Sequence, residues 1–102
     1  NKKSVVDSSL SALTIGELEL VPEFDKEVLE YAVSTTNASN KVTATTDDPS
    51  AVITIVLNNS EEEDKEIENG KAVTWASGEN VLTITVVDGT EETVYVVTVT
   101  KS

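Results

Sequence analysis

Two stretches near the end of the chain alternate between apolar and other residues, with one turn signal between them. Val81 to Val87 carries Leu82, Ile84 and Val86 at every second position, and Thr93 to Thr100 does the same with Tyr95, Val97 and Val99. Successive side chains of a strand point to opposite faces, so a period of two builds an extended strand with one apolar face. Between the stretches, Asp88-Gly89 supplies a residue that takes positive φ at no steric cost, as a tight hairpin turn demands. The spacing predicts an antiparallel hairpin in which those six side chains share one face, and that face should be the core.

The same period recurs along the chain. Tyr31-Ala32-Val33, Lys41 to Thr46, Ala51 to Leu57 and Lys71 to Trp75 read as strands, and a further extended segment holds Leu10, Leu13 and Ile15, continuing towards Leu18 and Leu20. Val, Ile and Thr, numbering 16, 5 and 14, fill 35 of 102 positions, and β-branched residues fit a pleated surface better than a helix. Breakers stand between the strands at Val21-Pro22, Asp48-Pro49, Asn69-Gly70 and Ser77-Gly78. Only Glu23 to Glu30 has helical flavour, as one turn or a loop. About seven short strands with turns between them predict an all-β antiparallel β-sandwich. Its core should include Leu10, Leu13, Ile15, Tyr31, Val33, Ile53 and Ile55 besides the hairpin residues. Residues 1–9 lack pattern and read as a linker, leaving 10–102 as the domain. A start at Asn1 without Met suggests a segment of something longer.

Composition narrows the chemistry. The chain has no Cys and no His, and its seven basic residues are all Lys. Thiolate chemistry, the commonest general base and the bidentate guanidinium clamp are therefore missing. A formal charge of −12 opposes nucleic acid and anionic membrane surfaces. No apolar run approaches the roughly 18 residues of a membrane span. No nucleophile–base pair can be named, so no catalytic residue is expected and the chain reads as a non-enzyme.

Taken in order, Leu10-x-x-Leu13-x-Ile15, Leu20-x-Pro22-x-Phe24, Tyr31-x-Val33, Val42-x-Ala44, Gly78-Glu79-Asn80-x-Leu82-x-Ile84-x-Val86, Asp88-Gly89-Thr90 and Tyr95-x-Val97-x-Val99 form a familiar series. The chain resembles the bacterial cadherin-like β-sandwich domain over about Leu10 to Lys101. The resemblance implies an immunoglobulin/cadherin-like sandwich, no catalytic residues, and a modular extracellular or cell-surface role. Two departures are the long acidic stretch Glu61-Glu62-Glu63-Asp64 and Trp75, which stands where an aliphatic residue is usual.

Three features remain as candidate sites. The run Glu61, Glu62, Glu63 and Asp64 offers carboxylates to a weakly held calcium ion, although a solvated loop is the better account of it; no other cofactor or metal is expected. Trp75, Tyr31, Tyr95 and Phe24 are the only aromatics. The last three fit core positions, while an exposed Trp75 would give a glycan a stacking face. Opposite the core face of the last hairpin, Val81, Val87, Val94 and Val96 interleave with Thr83, Thr85 and Thr98. That strip suits good strand residues, or an interface with a neighbouring domain of the same parent chain or another protein. The leading reading is a non-catalytic spacer, adhesion or display module of a larger bacterial cell-surface or secreted protein. A structural decoration or tail module of a phage virion and a carbohydrate-binding module are the alternatives. The isolated domain should be a monomer.

Overall fold

The computed structural model describes residues 9–25, 27–48 and 50–102. The strands are β1 (Ala12–Ile15), β2 (Glu30–Thr35), β3 (Ser39–Thr45), β4 (Val52–Asn58), β5 (Lys65–Ile67), β6 (Lys71–Thr74), β7 (Gly78–Asp88) and β8 (Glu91–Lys101). They form a three-stranded sheet, β1-β3-β6, and a five-stranded sheet, β2-β8-β7-β4-β5. The all-β sandwich expected from the sequence is the architecture of the chain. Of the stretch read as a linker, 1–9, only Ser9 lies within the described residues.

The hairpin of β7 and β8 organises the larger sheet. Ile84 lies opposite Tyr95, Leu82 opposite Val97 and Asn80 opposite Val99. The turn is two residues long, since Asp88 still pairs with Glu91. Gly89 takes φ 64° and Thr90 keeps a negative φ, the pattern of a type II′ turn with glycine in its first central position. On β4, Ile55 and Leu57 face Ile84 and Leu82, so the apolar period of one strand continues across its neighbours. The smaller sheet meets this face with Leu13, Ile15, Val42, Ala44 and Val73, all buried in one cluster with the hairpin residues.

Sequence and structure differ at four places. Lys65–Ile67 is an eighth strand, because Ile67 falls in register beside Ile55 and joins the core. The sandwich is not wholly antiparallel: β2 runs parallel to β8, with Tyr31 beside Val97 and Val33 beside Val99. β1 ends at Ile15 and does not continue to Leu20; Gly16 turns the chain at φ 58°, and any side chain there would collide with Asn40. Ile53 is only partly buried, packed against the core beside the end of β4. Among the described residues of Glu23 to Glu30, the Val28 N–H donates to the Asp25 carbonyl and no helix forms.

Asparagines tie the edges of the sandwich together. The buried Asn80 side chain donates to the carbonyls of Ala76, Gly78 and Val99, and its oxygen accepts from the Ala76 N–H and from Asn59 Nδ2. A buried amide with all its capacity used stabilises one packing arrangement, since any other leaves polar atoms unpaired. Asn69, in the turn between β5 and β6, likewise accepts from the Ala44 N–H and donates to the Ala44 carbonyl. No buried side-chain polar atom lacks a partner among the described residues.

The pairings also fix where the chain enters and leaves. Ala12 pairs with Thr45, and the connection after Thr45 reaches the β7–β8 turn, where Ser50 Oγ lies 3.4 Å from Asp88 Oδ1. Lys101 lies beside Thr35 and Gly78, and the Ser102 N–H donates to the Thr35 carbonyl. The start of β1 and the end of β8 therefore lie towards opposite ends of the strands, in a body measuring 51 × 25 × 19 Å.

Candidate interaction surface

The acidic stretch folds into a compact loop between β4 and β5. Asn59 organises it: its side-chain oxygen accepts from the N–H groups of Glu61 and Glu62, and its own N–H donates to the Glu62 carbonyl. Asp64 takes φ 51° and donates its N–H to Asn58 Oδ1. The loop is thus shaped by asparagine side chains and backbone, and its carboxylates project into solvent. Glu62 approaches Lys65 at 3.7 Å, an exposed pair. Among the described residues, no group of three or more Asp or Glu side chains stands close enough to hold a metal ion.

The aromatic residues turn inward. Trp75 is 4% exposed, and its Nε1 donates to Asn40 Oδ1. Its indole is part of the core and offers no face for stacking on a sugar. Tyr31 and Tyr95 are buried too. Phe24 stacks on Tyr31 with ring centroids 5.9 Å apart and covers that edge of the core. The Tyr31 hydroxyl donates to the Asp25 carbonyl and accepts the Asp25 N–H, which pins the connection leading into β2. Burial raises the phenol above its ordinary value of 10.0, opposed by the hydrogen bond to the Asp25 backbone and reinforced by the charges of Tyr95 and Asp25.

The outer face of the five-stranded sheet is different in kind. Register sets Val52 opposite Val87, Thr54 opposite Thr85 and Thr85 opposite Val94, Val56 opposite Thr83 and Thr83 opposite Val96, and Val81 opposite Thr98. The valines read from the sequence, Val81, Val87, Val94 and Val96, are brought together as part of this surface, with Val87 and Val94 exposed and the other two half-buried. β4 extends it with Val52, which is 61% exposed, and with Val56. Sequence reasoning missed this extension because Val52 and Val56 stand in a near-continuous apolar run, AVITIVL, that does not reveal which residues face out. Where β2 lies beside β8, Val21 bridges to Ala32 and forms a shallow depression with Val96 and Thr98. Threonine and valine together give the centre of this face shape and little charge, so it suits contact with another surface.

No helix among the described residues is long and apolar enough to cross a membrane. The family description that matches the chain, over residues 10–102, is the cadherin-like beta sandwich domain. None of the curated proteins compared with the chain matches it.

Proposed function

Because the chain belongs to the cadherin-like β-sandwich domain family, we propose that it is a non-catalytic module that spaces, displays or adheres within a larger bacterial cell-surface or secreted protein. Domains of this family are typically non-catalytic and commonly extracellular. The observation that carries the reading is the placement of the start of β1 and the end of β8 towards opposite ends of the strands. A neighbour joined at each end would be held apart by the length of the sandwich, and the chain would transmit position from one to the other. The β7–β8 hairpin, with eleven residues in each strand, is the longest pairing of the larger sheet and gives the spacer its stiffness.

The aromatic arrangement favours spacing and protein contact over carbohydrate binding. Stacking on sugars needs an exposed ring, and Trp75, Tyr31 and Tyr95 are committed to the core. Small-angle scattering from two copies joined through residues 1–9 tests the proposal. An in-line spacer gives a maximum dimension near 2 × 51 Å. A pair that folds side by side, with a maximum dimension near that of one copy, overturns it.

A further inference from the structure

The outer face of the five-stranded sheet combines an uncharged centre with a rim of one sign. Across β4, β7 and β8 the outward positions between Val52 and Thr98 are Val and Thr, apart from Asn58 in the row of Val81 and Thr98. At the margins stand four exposed carboxylates: Glu30 beside Val96, Glu66 beside Val56, Glu79 beside Thr100 and Glu92 beside Val87. None of the described lysines registers on this face. Lys41 and Lys71 belong to the smaller sheet, while Lys65 and Lys101 fall on the inward register of β5 and β8.

We propose that this face docks a partner protein whose contacting surface is aliphatic at its centre and rimmed by lysine or arginine. Charge complementarity selects the occupant. Across an interface, opposite signs at the rim speed association and fix orientation, whereas like signs exclude the wrong partner. A second copy of the chain would set four carboxylates against four. Area argues the same way. Three strands about 4.8 Å apart, each with four outward side chains about 6.8 Å apart, cover roughly 400 Å². That is about half of the roughly 800 Å² per partner of a standard stable interface. It falls within the range of the largest apolar patches on monomers, which are often functional. A surface of this size serves a modest contact, strengthened when the partner is held nearby on the same assembly.

The proposal rests on the reading of the domain as a module, and its test is separable from that reading. The probes are two synthetic β-hairpin peptides with valines on one face, one flanked by lysines and its twin by glutamates. Titrated into the ¹⁵N-labelled protein, the lysine peptide should move the amide resonances of Thr54, Thr83, Thr85, Val94 and Val96, and the glutamate peptide should not. Val94→Lys, and separately Glu30→Gln with Glu92→Gln, should each weaken binding on the order of tenfold, with dispersed spectra showing the fold retained. Shifts confined to Glu61–Asp64, equal response to both peptides, or no response would overturn the docking face. An in-line tandem accompanied by any of those results would leave the spacer standing and remove only the docking surface.

Discussion

The backbone N–H of Leu10 donates to the phenolic oxygen of Tyr95 at 3.1 Å, joining residues 85 positions apart in sequence. Both are fully buried, so the first core residue of the chain is fastened to the middle of its last strand inside the apolar cluster. Tyr95 thus serves as both a large core side chain and an acceptor for a backbone group that water cannot reach. Tyr95→Phe keeps the ring and removes the acceptor. A buried donor left without a partner costs about 1–3 kcal/mol. Urea denaturation should show a lowered midpoint with an unchanged slope, and an unchanged midpoint would mean that Leu10 finds another acceptor.

Opposite faces of one sheet should respond very differently to substitution. Ile84 is fully buried between Ile55 and Tyr95, and Ile84→Ala should cost about 2–5 kcal/mol. Val94 is 39% exposed on the outer face of the neighbouring strand, and Val94→Thr should stay within about 0.5 kcal/mol. Comparable losses at the two positions would contradict the assignment of inner and outer faces.

The hairpin shows why so much of the fold was legible. Leu82, Ile84, Val86, Tyr95, Val97 and Val99 are close in sequence, obey a period of two and flank a turn glycine, so local pattern and tertiary role agree. The parallel pairing of β2 with β8 has no such signature, since it joins Tyr31 to Val97 through contacts that no local pattern encodes. Ile67 was hidden for another reason. It is one apolar residue among lysine and glutamates, and only the register with Ile55 gives its short strand a place. The candidate surface was half legible: β7 and β8 announced their outer valines by alternation, whereas β4 is apolar on both faces and concealed Val52 and Val56.

Alkaline pH should unfold the domain partly through Tyr31. Burial raises its folded-state value above the 10.0 of an exposed phenol. The sign follows directly: between the unfolded and folded values the native chain holds a proton that the unfolded chain has released, so stability falls as pH rises. Stability from this group is complete below about pH 10 and declines through the folded-state value. Thermal midpoints recorded across that range should drop less steeply in Tyr31→Phe than in the parent chain. Parallel pH curves would assign the alkaline loss to other groups.

Calcium should matter little. A tight site needs roughly six to eight oxygens around one ion, whereas the loop from Glu61 to Asp64 is shaped by Asn58 and Asn59, with its carboxylates in solvent. Binding in the millimolar regime would let 1 mM Ca²⁺ add well under about 1 kcal/mol of stability. Calorimetry should find no micromolar site, and EDTA should leave the thermal midpoint in place. A micromolar affinity would make this loop the functional centre.

The account turns on β1 starting towards one end of the strands and β8 finishing at the other. Because the sequence contains no cysteine, Ser11→Cys and Ser102→Cys place two spin labels with no competing thiol. Dipolar spectroscopy should then report a single distance of roughly 30 Å, the span expected from strands that rise about 3.4 Å per residue. A distance below about 15 Å would put entry and exit side by side, and would contradict an in-line spacer.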